Sequence, residues 1–242
     1  MPLPASLGLI GAGAFGRFAI RHLAPHFPLL VHDPHPSVLP CNVPHAPLAA
    51  VARQPIVILC VPVPALRATA EAIAPYLKPG ALVLDVCSIK SAPLAILHEV
   101  LPAHVDIIGT HPLFGPQSGR DGIAGQGITL CPVRRRRRIP SVARFLAQTL
   151  KLRVIHATAE AHDQEMAYIQ GLTHLVARIV TAMDVPKLDQ VTTTFTYLMC
   201  AVDNVSADSE TLFRTITRDN KYVPDVTARF FAAARDIEAD LT

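Results

Sequence analysis

SLGLIGAGAFGRFAIRHL, residues 6–23, reads as a strand, a glycine turn and a helix in succession. Residues 6–10 are short and apolar. Gly11, Gly13 and Gly16 follow in the spacing G-x-G-x-x-G, and an amphipathic helix is predicted to about Leu23. In that arrangement the first glycine permits the tight turn. The second lets a pyrophosphate approach the backbone, and the third lets helix and strand pack closely. A second apolar run, 29–32, ends at Asp33, where a carboxylate would accept from ribose hydroxyls and repel a 2′-phosphate. The pattern predicts a dinucleotide site and favours NAD over NADP, with NADP still possible. His32 and His35 flank the acid and weaken that preference. Gly11, Ala12, Gly13, Ala14, Phe15, Gly16 and Asp33 are the expected cofactor contacts, with Val61 and Pro62 at the end of a later run.

Working outward, further apolar runs occur at 56–61, 82–86, 105–108, 128–131 and 154–156. Helix-like stretches at 65–76, 92–100 and 140–150 separate them. Strands alternating with helices predict an α/β domain with a Rossmann-type, mostly parallel sheet over residues 1–156. The pattern then changes. From 158 to 182 apolar residues recur at three and four, and helices are expected at 189–205, 208–218 and 224–240. Residues 157–242 are therefore expected to form a smaller, all-helical domain. Its wide apolar faces predict burial against a second copy, a homodimer.

Composition narrows the function classes. Half of the 242 residues are hydrophobic, enough for one large or two smaller domains. The net charge is only +3, and five arginines of that balance form one run, Arg134–Arg138, with no aromatic residues between them. The run is expected to form an exposed loop rather than a nucleic-acid or membrane patch, and a nucleic-acid partner is not expected. The five cysteines show no CxxC or metal spacing, so no metal is expected and a reducing, cytoplasmic setting fits. No apolar run approaches the roughly 18 residues of a membrane helix. The first strand begins so early that no targeting peptide is expected.

The phrase GTHPLFGP, residues 109–116, carries the strongest chemical signal. His111 follows an apolar run in an open α/β sheet, where ligands bind beyond the carboxyl ends of the strands. An imidazole there can take a proton near neutral pH. The plain alternative is a turn histidine. Ser88 ends the run before it, as a substrate-binding hydroxyl or a helix cap. Nearby Lys90 is expected to be solvated or packed against a helix. In the helical part, His162, Met166, Gln170, His174 and Arg178 are spaced by four and form one stripe. It reads as either a half-buried polar seam or a carboxylate site, since a guanidinium donates two parallel hydrogen bonds.

The chain resembles the prephenate/arogenate dehydrogenase family of tyrosine biosynthesis. The matching phrases are GLIGAGAFG (8–16), DVCSIKS (85–91), GTHPLFGPQSG (109–119), HDQEMAYIQGLTHLVAR (162–178) and AVDNVSADSETLF (201–213). The third and fourth look closest to the plant-type arogenate dehydrogenase branch. The resemblance implies an NAD(P)-dependent oxidative decarboxylation of arogenate to tyrosine, or of prephenate to 4-hydroxyphenylpyruvate. It implies His111 as proton acceptor, Ser88 near the substrate hydroxyl, and a dimer built by the helical domain. It assigns substrate contacts to Gln170, Thr173, His174 and Arg178. Many members carry a second histidine where this chain has Ala177. Asp121, just past the catalytic phrase, is expected to attract the ammonium of arogenate. Two rivals stand beside this reading. A β-hydroxyacid dehydrogenase-like reductase would place a lysine on the first bundle helix, and none lies between residues 157 and 185. A non-catalytic NAD(H)-sensing dimer would need no base at position 111.

Overall fold

The computed structural model describes residues 6–35, 38–134, 138–206 and 208–241. The chain divides into two compact units, Met1–Ala159 and Glu160–Thr242.

The first unit is built on seven strands: β1 (Leu7–Ile10), β2 (Leu29–His32), β3 (Ile56–Leu59), β4 (Leu82–Asp85), β5 (Asp106–Pro112), β6 (Gly127–Arg134) and β7 (Arg153–His156). They lie in the order β2-β1-β3-β4-β5-β6-β7. All neighbours pair in parallel except β5 and β6, which are antiparallel. The chain steps from β1 outward to β2 and then returns to the other side of β1 for β3. That reversal opens a crevice at the carboxyl ends of β1 and β3, the place where open α/β sheets bind ligands.

Side chains alternate along each strand, and both faces are covered. Leu7, Leu9, Ile56, Ile58, Leu82 and Leu84 join one apolar cluster with Phe18 and Ile20 of α1 (Ala14–Leu23). Ile10, Val57, Leu59 and Val83 join the other with α2 (Leu48–Ala52), α3 (Val63–Ile73) and α4 (Ser91–Val100). Burial on both faces explains why these strands read as continuous apolar runs. α5 (Ile139–Arg144) continues into a π-helical stretch, Phe145–Thr149, and packs on the first face.

The structure changes two readings. β5 does not stop at residue 108. It runs to Pro112, with Thr110 opposite Leu130 and His111 opposite Thr129 on β6. Gly-Thr-His-Pro has no strand-like alternation, and its antiparallel partner β6 pairs it as strand. The arginine run is not simply an exposed loop. Arg134 ends β6 and donates to the carbonyls of His98 (2.6 Å), Leu101 (3.1 Å) and Pro102 (2.8 Å), capping the C-terminus of α4. Arg138 donates to Gly80 O and faces the buried Asp106 at 3.8 Å. Arg135, Arg136 and Arg137 lie outside the described residues.

The second unit is helical: α6 (Ala159–Met166), α7 (Thr173–Ala182), α8 (Thr193–Ser206), α9 (Glu210–Arg214) and α10 (Val223–Leu241). α6 and α7 are joined without a break by a π-helical stretch, Ala167–Leu172. A spacing of four drifts slowly around an α-helix of 3.6 residues per turn. The wider π turn rotates it back, which keeps the 162–178 stripe on one face. The small core of this unit holds Ala167, Val223 and Val226. No helix among the described residues is long and apolar enough to cross a membrane.

Candidate active site

The glycine turn between β1 and α1 is shaped for close approach. Gly11 has φ +97°, and a Cβ there would stand 2.4 Å from Cys60 O. Gly16 is tighter still: its Cβ would fall 2.0 Å from Gly11 O. The third glycine therefore serves contact between the helix and the turn itself. Gly13 is different, because a Cβ there would meet nothing within 4 Å. It caps α1 in extended conformation with no capping side-chain bond, and the first turn carries no acid. A helix start left uncapped by its own N-cap residue, with open space at that residue, is the arrangement that receives a phosphate.

Asp33 accepts from the backbone N–H of Ala12 at 2.6 Å and of His35 at 2.8 Å, so its carboxylate is fixed beside the turn. Val61 is half-buried, and Pro62 is the exposed N-cap of α3, both beyond the carboxyl end of β3. The turn, the free helix start and the held carboxylate together fit a dinucleotide. Cys60 lies among them, where burial and then the Asp85 charge push its thiol up to about 12.

Along the same edge of the sheet lie the ends of β4 and β5. Asp85 pairs with Gly109, so Ser88, three residues past the end of β4, and His111, near the carboxyl end of β5, lie at the same end of neighbouring parallel strands. His111 is 3% exposed and Ser88 is half-buried. Lys90 departs from expectation. It is neither solvated nor merely packed against a helix, but fully buried and ion-paired with Asp85, which is also fully buried. Asp121 sits in an exposed turn, 3.4 Å from the guanidinium of Arg120.

In the helical unit, His174 is buried, with Nδ1 2.8 Å from Gln170 O and Nε2 3.2 Å from Asp208 Oδ2. Arg178 is exposed, paired with Glu210, and lies over the Phe213 ring at 4.2 Å. Hydrogen bonds from Arg178 and then Arg214 hold the Glu210 carboxyl below its ordinary range. His174, Arg178, Thr181, Ser206, Asp208 and Phe213 line a recess of about 190 Å³. Gln170 is half-buried on the same helical rod, whereas Thr173 is exposed and donates back to Ile169 O. Sequence reading missed Asp208 as a site residue. It lies 34 positions from His174, and only its place inside AVDNVSADSETLF drew notice.

Residues 41–155 match the family profile described as prephenate dehydrogenase, nucleotide-binding domain. Over that segment the chain is similar to the nucleotide-binding domain of prephenate dehydrogenases. Arogenate dehydrogenase 1 of Arabidopsis thaliana, a chloroplastic protein, is 27% identical over 194 residues, 77% of this chain and 30% of that protein. A probable arogenate/prephenate dehydrogenase of Methanocaldococcus jannaschii is 32% identical over 130 residues, 52% of this chain and 28% of that one. The chain thus spans less than a third of the length of either relative. Among solved structures, prephenate dehydrogenase from Aquifex aeolicus superposes with a TM-score of 0.76 at 20% identity. The match covers 96% of this chain and 90% of the other. That likeness bears out the α/β sheet and following helices expected from the sequence.

Proposed function

We propose that this protein is a nicotinamide-dependent dehydrogenase that oxidises and decarboxylates a cyclohexadienol, with arogenate preferred over prephenate. The observation that carries the reading is the placement of His111. It is a buried histidine at the carboxyl end of β5, on the same sheet edge as the dinucleotide turn, with Ser88 in the turn that follows the neighbouring strand.

Gly11, Ala12, Gly13, Ala14, Phe15, Gly16, Val61 and Pro62 would hold the cofactor, and Asp33 its adenosine ribose. Asp33 favours NAD over NADP, because a 2′-phosphate would meet a fixed carboxylate. When bound, the nicotinamide supplies the hydride acceptor. His111 takes the proton of the substrate hydroxyl as its carbon becomes a carbonyl, and Ser88 orients that oxygen. Loss of carbon dioxide aromatises the ring and makes the step irreversible. Activity falls on the acid side, where a protonated imidazole cannot serve as base.

The recess in the helical unit supports the choice of arogenate. Arg178 pairs with Glu210, and Asp208 lies 3.2 Å from His174 Nε2. A site that holds both a guanidinium and carboxylates suits a zwitterionic amino-acid group better than a ketone with a carboxylate. Gln170 and Thr173 complete the assigned contacts. Asp208 is the residue we assign to the ammonium, in preference to the exposed Asp121. The helical unit leaves Tyr197 70%, Ile237 60% and Leu241 82% exposed, which supports a homodimer formed through it.

The test is reduced-nicotinamide formation with arogenate and prephenate in parallel, each with NAD and NADP. Arogenate turnover that falls at least about tenfold in kcat/KM in Asp208→Asn, with prephenate turnover unaffected, supports the assignment. A near-wild-type rate for His111→Asn would remove the base from the mechanism. Dinucleotide binding without turnover on either substrate would favour the sensor reading.

A further inference from the structure

We propose that Lys90 is a positioning residue, whose buried ammonium, together with Asp85, locks the Ser88 turn to the backbone that carries His111. The roles of Ser88 and His111 rest on the dehydrogenase reading above, while the clamp itself rests on geometry.

Lys90 and Asp85 both have fully buried side chains. Their pair closes the six-residue segment 85–90, with Ser88 inside it. Asp85 Oδ2 accepts from Lys90 Nζ and from the Cys87 backbone N–H at 3.0 Å. Two further bonds reach across to β5 at the residue directly before His111. Lys90 Nζ donates to Thr110 O at 2.7 Å, and Thr110 Oγ1 donates to Asp85 O at 2.5 Å. The turn is therefore fastened at both its ends and to the strand beside it.

Stability alone does not explain such a pair. Two charges lose their hydration on burial, and apolar replacements of similar size are often as stable or more so. A buried pair does fix direction, since each partner must stay where the other is. Here the fixed parts are the turn bearing the hydroxyl and the strand bearing the imidazole. A misplacement of about 1 Å in such a constellation costs on the order of 100-fold in rate.

The experiment compares wild type, the double variant Asp85→Asn/Lys90→Met, and Thr110→Val. The double variant removes both charges together, so neither is left buried alone. For each we would measure NAD affinity by fluorescence, kcat with arogenate and prephenate, and the ¹³Cε1–¹H resonance of His111 at one fixed pH. The clamp predicts NAD affinity within about twofold of wild type and kcat lower by about 100-fold in the double variant. It predicts a smaller loss, about tenfold, in Thr110→Val, and a shifted or broadened His111 resonance in both. Folded variants with wild-type kcat and an unmoved resonance would overturn it. Should the double variant fail to fold, Thr110→Val decides by the same readouts. If wild type turns over neither substrate, the dehydrogenase reading fails, and the resonance alone decides the clamp.

Discussion

Alanine at Gly16 and alanine at Gly13 should fail in opposite ways, and the contrast tests the cofactor turn. At position 16 the added Cβ would stand 2.0 Å from Gly11 O and 2.9 Å from Gly11 C, against a working limit of 3.0 Å. Helix α1 and the turn must then part by about 1 Å in a close-packed region. Overpacking of this kind costs about 1–3 kcal/mol or more. At about 2–4 °C per kcal/mol for a chain of this size, Tm should fall by about 2–12 °C. At position 13 the Cβ meets nothing within 4 Å, and φ is −65°. The exchange of one N-cap residue for another costs at most about 1 kcal/mol, so Tm should move by no more than about 4 °C. The methyl group nevertheless occupies the face through which a phosphate would reach the helix start. NAD affinity should drop at least about tenfold, a loss of about 1.4 kcal/mol. Thermal denaturation and NAD titration of the two variants give the answer. A Gly16→Ala protein with wild-type Tm, or a Gly13→Ala protein with wild-type NAD affinity, would refute the reasoning.

Other outcomes follow from the same structure. Cys41 and Cys200 are exposed, whereas Cys60 and Cys87 have thiols pushed up by burial and by the Asp85 charge. Iodoacetamide mapping by mass spectrometry near neutral pH should label the first two and spare the second two until denaturant is added. Arg134→Ala removes donors to three carbonyls at the end of α4 and should cost about 1–3 kcal/mol in chemical denaturation. An unchanged midpoint would show the cap to be idle. Glu210, held low by Arg178 and Arg214, should stay ionised as pH falls through the usual carboxylate range. Its contribution to stability is present above the unfolded carboxyl value of about 4.3 and is lost only below it, as pH passes the lowered folded value. A titration of the Glu210 carboxyl by NMR at or above the unfolded value would contradict this. Light scattering should give twice the mass of the chain, and charged substitutions at Tyr197 and Ile237 should halve it.

The parts legible in the sequence share one property: each depends on neighbours close in the chain. The glycine turn, the strand alternation and the helical periodicity from residue 158 onward reflect backbone geometry and burial within a few residues. For that reason the α/β class and the change to helices could be read directly. Asp33 could be named because the turn and the second strand fix its distance from Gly11. His111 was visible through its phrase, and its strand was read only as far as Ile108. The extension of β5 to Pro112 follows the antiparallel pairing with β6 beside it, which lies far off in the chain.

What the tertiary structure alone decided concerns charges and their partners. A lysine in a sequence looks solvated, yet Lys90 is buried because the turn folds it onto Asp85 and Thr110. An arginine run looks like a loose basic patch, yet Arg134 reaches back more than 30 residues to cap α4. Asp121 adjoins the phrase of His111 in sequence and is exposed in space, while the distant Asp208 meets His174. Local pattern fixes which face of an element is apolar. The partner of a long polar side chain is set by the packing of elements far apart in the chain, and no local spacing encodes it.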